Sequence, residues 1–253
     1  VGGGEGAAHG GLYTEKLDVH AFAWSADGKD LYFSATQPQT KEQEEAEKAE
    51  WKDVIRWREK DRGDVLVKMA VELALAVDLK APLPETSVAA EKKAETKKAN
   101  EAPAELPASA KALTESREEI TEIAPSPEGK TVAFETGPPF HREENPADYE
   151  IFSVAAEGGR ARQMTHNEGL ESKLEWSPDG KWLHFEVPAG AGAVEGKYAD
   201  VQGRLYRMNP ESGQVERLGA EFDGSWGPYS LLPDGRLMAL GQPLGAFTGG
   251  KIY

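Results

Sequence analysis

The chain has 253 residues, of which 39% are hydrophobic and 29% charged, with a formal net charge of −15 and no cysteine. This is the composition of a globular chain. The acidic balance argues against a nucleic-acid partner, which needs a basic face, and the missing cysteines exclude disulfides and thiolate metal sites. No run of 18 apolar residues occurs, so no membrane-spanning helix is expected. The opening VGGGEGAAHGG lacks the basic start and apolar middle of a signal peptide. The chain reads as a fragment cut at both ends, and its compartment stays open.

Residues 12–17 alternate weakly and read as an outer strand. Residues 20–24 and 30–35 then form a hairpin: Phe22 and Trp24 share one face, and so do Leu31 and Phe33, the period of two of a strand. Asp27 and Gly28 make the turn, because glycine takes positive φ freely and aspartate bonds its own backbone two residues on. Residues 38–63 break the pattern. They are dense in both charges and read as a helical insertion, with Trp51, Val54 and Ile55 at i, i+3 and i+4 forming a narrow apolar stripe. Such a segment is either a solvated helix over the edge of the sheet or a lid or docking element that makes contact through Trp51 and Trp57.

Residues 64–78 are apolar enough for strands or a helix; two outer strands should follow each hairpin, which favours strands. Residues 80–112 are rich in Ala, Glu, Lys and Pro and hold no aromatic residue, so they read as a flexible, low-complexity insertion. A second hairpin is predicted at 119–125 and 130–136, a loop at 137–147, and strands at 149–154 and 161–164. A third hairpin covers 173–187 and a Gly-rich loop 189–201. Strands at 204–209 and 214–218 follow, then a fourth hairpin over 226–240, a loop, and a strand beginning at Ile252.

The four hairpins are copies of one unit: WSADGK, PSPEGK, WSPDGK and LLPDGR. Their turn glycines, Gly28, Gly129, Gly180 and Gly235, stand 101, 51 and 55 residues apart, and the first gap holds both insertions. A four-stranded unit of about 50 residues is the scale of a β-propeller blade. The expected fold is therefore all-β: a partial β-propeller of three to four four-stranded antiparallel blades, with one helical and one flexible insertion. Trp24 and Trp176 share one repeat position and Phe33, Phe134 and Phe185 another, so these rings are expected to pack blade on blade. Asp179 with Gly180, and Asp234 with Gly235, turn the later copies.

The S-P-D-G-K hairpin and the period resemble WD40-like (PD40, TolB-type) propeller repeats. More specifically, WKDVIRWREKDRGDVL (51–66), EEITEIAPSPEGKTVAFETG (118–137) and the run from Tyr149 to Val187 resemble the N-terminal propeller of bacterial S9 peptidases, the prolyl oligopeptidase family. The resemblance implies a non-catalytic propeller that gates peptide access to a C-terminal α/β-hydrolase domain, with peptide as substrate and no cofactor. The alternative is a TolB-like, non-enzymatic, protein-binding propeller. The family's nucleophile lies on a G-x-S-x-G elbow. Here Asp223 stands where the first glycine of Gly224-Ser225-Trp226-Gly227 would be needed, so no catalytic residue is assigned. Dipeptidyl members hold a substrate's amino terminus with paired glutamates. Glu143 and Glu144 invite that comparison, although HREENPADYE departs from the family's motif. His9, His20, His141, His166 and His184 form no ligand pattern, and His184 reads as a satisfied strand residue. No metal site is expected.

Overall fold

The computed structural model describes residues 19–38, 42, 45–46, 49, 62–71, 106, 109–138, 149–166, 169–188, 190–194, 198–200, 202–244 and 251–252. They form a partial β-propeller. The first blade orders β1 (Val19–Trp24), β2 (Asp30–Thr36), β3 (Asp64–Ala70) and β4 (Lys111–Glu115) side by side. The second is β5 (Glu119–Pro125), β6 (Thr131–Gly137), β7 (Ile151–Ala155) and β8 (Arg162–Gln163).

In the third blade β9 (Ser172–Trp176) and β10 (Leu183–Val187) are followed by a separate two-stranded hairpin, β11 (Gly190–Val194) with β12 (Tyr198–Asp200). The blade then resumes with β13 (Arg204–Met208) and β14 (Val215–Leu218). The fourth sheet has three described strands, β15 (Gly224–Leu231), β16 (Leu237–Pro243) and β17 (Lys251–Ile252). All pairings are antiparallel.

Two expectations change. The Gly-rich 189–201 segment is not a plain loop but carries the β11–β12 hairpin. Strand β4 starts at Lys111, two residues inside the stretch whose composition reads as the 80–112 insertion; that insertion therefore lies between the third and fourth strands of one blade. Of the predicted charged helix, Glu42, Glu45, Ala46 and Ala49 are helical. Trp51, Val54, Ile55 and Trp57 lie outside the described residues, as do 12–17.

Each turn is built locally. Ser25 Oγ donates to Asp27 Oδ1 at 2.8 Å and accepts from the Asp30 amide at 2.9 Å, while Gly28 sits at φ 70°. Ser177, Asp179 and Gly180 repeat this arrangement, with Ser177 Oγ to Asp179 Oδ1 at 2.7 Å and Gly180 at φ 70°. These contacts hold the Asp27 carboxyl at about 2, below its usual 3.8, chiefly through Ser25 and the Lys29 amide. Ser126 keeps the serine role before Gly129, with Glu128 in the aspartate position.

The fourth turn differs. Leu232 replaces the serine, and the closing bond runs from the Leu232 amide to the Arg236 carbonyl, one residue shorter than Ser177 to Trp182. The shorter turn shifts β16 by one position. Ala239, not a phenylalanine, therefore occupies the place of Phe33, Phe134 and Phe185.

The core lies between the blades. One side of each sheet presents large residues to the blade before it. Ile123, Val132, Phe134 and Val154 of the second blade cluster with Tyr32 and Leu66 of the first, against Ala21 and Ala23. Leu174, Leu183, Phe185 and Met208 of the third cluster with Ala124, Ala133 and Ile151 of the second. Tyr229 and Ala239 of the fourth meet Leu205 of the third. Small residues on the inner strand of one blade thus leave room for rings of the next. Trp176 packs in this way, and its Nε1 donates to the Ala124 carbonyl at 2.8 Å. Trp24 does not; it is exposed.

Candidate functional site

The strand order gives the propeller two unlike rims. The Asp-Gly turns occupy one rim, with the short turns at Gly158 and Gly213. The other rim carries the connections from the second to the third strand of each blade: 37–63, 138–150 and 188–203. The helical insertion, the loop containing Glu143 and Glu144, and the β11–β12 hairpin therefore all emerge from one rim. Glu143 and Glu144 themselves lie outside the described residues. The feet of the first connection are tied together: the Gln37 amide donates to the Gly63 carbonyl at 3.0 Å, and Arg62 Nη1 donates to the Gln37 carbonyl at 2.7 Å. A Cβ on Gly63 would lie 2.0 Å from the Ser116 carbonyl oxygen, so only glycine fits there.

Beneath this rim is a seam of buried acids. Asp64, the first residue of β3, is fully buried. Its Oδ2 accepts from the Ile120 amide at 2.8 Å and lies 2.8 Å from His20 Nδ1. His20 Nδ1 is also 3.9 Å from Glu119 Oε1. One carboxylate thus joins β1 and β3 of the first blade to β5 of the second. The sequence reading missed Asp64. The visible signal was a charged residue opening an otherwise apolar run.

The next seam holds Glu122 and Glu135, opposite each other on β5 and β6. Glu122 Oε1 accepts from the Leu174 amide at 2.9 Å. Burial, then the charge of Glu122, pushes the Glu135 carboxyl up to about 9 from its ordinary 4.5. In the third seam Glu175 accepts from the Leu231 amide at 3.1 Å, and the Tyr229 hydroxyl donates to the Lys173 carbonyl. Burial, then Glu175, Glu122 and Glu186, drives the Tyr229 hydroxyl far above its usual range. Lys173 Nζ lies 5.3 Å from the Tyr229 ring centroid, and its backbone adopts φ 58°. His184 is buried, but not satisfied as expected: its Nδ1 has no hydrogen-bond partner among the described residues, and burial holds it at about 4, below its ordinary 6.5.

These shifts predict the pH dependence of stability. The fold favours protonated Glu135, so its contribution is full below about pH 4.5 and is lost as pH rises toward 9. His184 is favoured neutral, so its contribution is lost as pH falls from 6.5 toward 4. Glu135→Gln should flatten the alkaline limb of a melting-temperature profile and leave the acid limb in place. Identical alkaline limbs for the variant and the parent would rule out this assignment.

Ser225 lies on β15, where its Oγ accepts from the Gly203 amide at 2.8 Å. Among the described residues no group of three or more His, Cys, Asp or Glu side chains is arranged to hold a metal ion. No helix among them is long and apolar enough to cross a membrane.

The architecture is that of a β-propeller, and comparison with solved structures gives the same fold. TolB from Acinetobacter baumannii superposes with a TM-score of 0.50 at 15% identity, over 93% of this chain and 41% of that one. A puromycin-hydrolysing peptidase of Mycobacterium tuberculosis superposes with a TM-score of 0.51 at 16% identity, over 91% of this chain and 29% of that one. Two curated relatives share 26% identity: the uncharacterised protein Atu1656 of Agrobacterium fabrum over 81 residues and YidR of Escherichia coli over 102. These alignments cover 32% and 40% of this chain and 24% and 23% of the relatives. No family model matches the chain. The chain thus spans less than half of either of these two solved structures. The fold itself is common to a TolB protein and a peptidase.

Proposed function

We propose that this chain is the propeller portion of an S9-type serine peptidase, which limits the peptides that reach an α/β-hydrolase domain elsewhere in the parent protein. The observation that carries this reading is the gathering of every long second-to-third-strand connection on one rim. That includes the insertion over 38–63, whose sequence resembles the peptidase propellers. A decorated rim on a rigid ring is where binding residues concentrate, and in this reading it faces the hydrolase domain and the incoming peptide. Glu143 and Glu144 belong to the 138–150 connection, whose described ends stand on that rim, and are the proposed contact for a substrate's free amino terminus. In the second reading, a TolB-like scaffold, the same rim binds a protein and no chemistry follows.

The test is to recover the native protein with an antibody raised against this chain and treat it with a fluorophosphonate probe. The peptidase reading expects a labelled polypeptide longer than 253 residues that cleaves acyl- or dipeptidyl-chromogenic substrates, and no label on the isolated chain. In that polypeptide, E143A/E144A should raise KM for substrates with a free amino terminus and spare acylated ones. A recovered polypeptide that takes no label and cleaves neither substrate would leave the scaffold reading.

A further inference from the structure

Each of the first three blades turns a row of residues, one from each strand, toward the blade that follows it. In the first blade the row is Ala23, Tyr32, Lys68 and Lys111. In the second it is Ala124, Ala133, Ser153 and Arg162. In the third it is Glu175, His184, Arg207 and Glu216. Of the three rows only the third holds a histidine. His184 is 6% exposed, and its Nδ1 has no hydrogen-bond partner among the described residues.

The charged groups around His184 are already engaged. On β9, Glu175 reaches across the seam, with Oε1 and Oε2 each 3.1 Å from the Leu231 amide of the fourth blade. On β13, Arg207 donates through Nε and Nη2 to Glu216 Oε2 of β14 at 2.8 and 2.6 Å, and its guanidinium lies 4.3 Å from the Trp182 ring centroid. In the turn before β10, Asp179 accepts from Ser177 Oγ and the Lys181 amide. Two residues along β10 stands Glu186, beside Lys173 of β9. From the fourth blade, β15 and β16 bring one titratable group, the Tyr229 hydroxyl, which donates to the Lys173 carbonyl. The turn between them carries Asp234 and Arg236, bonded to each other.

We propose that the seam between the third and fourth blades is an acid-sensitive joint, in which His184 is the switch and Glu175 the moving tie. At neutral pH the Glu175 carboxylate holds the Leu231 amide and His184 is an uncharged part of the packed side. A protonated imidazole is a buried cation without a partner, and the nearest carboxylate on the paired position of the next strand is Glu175. Glu175 then turns back onto its own blade, the Leu231 amide loses its acceptor, and a second positive charge stands beside Arg207. The first seam behaves in the opposite sense: His20 Nδ1 already lies 2.8 Å from Asp64 Oδ2, so protonation there strengthens a pair. Burial, then Arg207, holds the His184 ring at about 4, below its ordinary 6.5. The contribution of the neutral ring is therefore full above 6.5 and is lost as pH falls toward 4. This inference rests on the seam alone and does not depend on the peptidase reading.

Hydrogen exchange read by mass spectrometry on the whole chain, corrected for the intrinsic pH dependence of exchange, tests it. Between about pH 7.5 and about pH 5.5, peptides covering 224–243 should lose about tenfold in protection, the linkage effect of the His184 shift. Peptides covering 119–137 should not change. His184→Phe should abolish the loss. Glu175→Gln keeps an oxygen for the Leu231 amide but offers the imidazolium no charge, so it should move the loss to lower pH. The His184 ring titration, followed by NMR in the parent chain, needs no variant and should coincide with the loss of protection. Equal protection of 224–243 at both pH values, or the same loss in a cooperatively melting His184→Phe chain, would overturn the proposal. An equal loss over 119–137 would overturn it too, by placing the acid response in the whole fold. A Glu175→Gln chain that responds at the same pH as the parent would rule out Glu175 as the tie.

Discussion

Phe185→Ala is expected to lower the unfolding free energy by about 3–5 kcal/mol, the range for truncating a fully buried ring. Phe185 lies at the centre of the second seam, 3% exposed. Its ring stacks on Tyr206 with centroids 5.6 Å apart and packs among Leu174, Leu183 and Met208. The facing residues of the second blade are Ala124, Ala133 and Ile151, on strands held by their own ladders, and the two alanines have only methyl groups, too short to fill the space. The cavity would therefore persist, and a persistent cavity is what puts a truncation at the upper end of the range. Each kcal/mol corresponds to roughly 2–4 °C in melting temperature for a domain of this size, so differential scanning calorimetry will resolve the change. A melting temperature equal to that of the parent chain would show that the seam is not the core described here.

Asp64→Ala should cost about 1–3 kcal/mol, the penalty for leaving a buried amide without its acceptor, with the lost contact to His20 added to it. The carboxylate is the shared acceptor for the Ile120 amide and the partner of His20. Alanine would strand that amide, because Ile120 is fully buried. The loss falls on the joint between the first two blades, so denaturant unfolding should lose cooperativity, the first blade releasing before the rest. Asp64→Asn keeps an oxygen acceptor and should lose less. An alanine variant within about 1 kcal/mol of the parent, the scale of an ordinary surface change, would remove the linking role of Asp64.

The hairpins were readable because their causes are local. Alternation at Leu31, Phe33, Leu183 and Phe185, and Asp-Gly turns with serine two or three residues before, are properties of a few adjacent residues. Even so, the fourth hairpin escaped the pattern: losing one turn residue before Leu237 shifts the strand and puts Ala239 where the other copies hold phenylalanine. The Gly190–Val194 hairpin was read as a loop because glycine and alanine carry no face. The buried acids were missed because burial of Asp64 and Glu135 comes from neighbouring blades, which no window of sequence contains.

The sequence by itself determined the unit, its repetition, its turns and the places where insertions interrupt it, since these follow from backbone preference and the period of two. Only the tertiary structure decided which equivalent positions are covered. Trp24 and Trp176 are the same residue in the same motif, yet one is half exposed and the other is hydrogen-bonded inside a seam. The difference is the presence of a blade on one side, and burial is a property of neighbours rather than of the residue. The same holds for the rim that carries the second-to-third-strand connections: strand order places the ends of 37–63, 138–150 and 188–203 on one side, although 124 residues of chain lie between the first and the last.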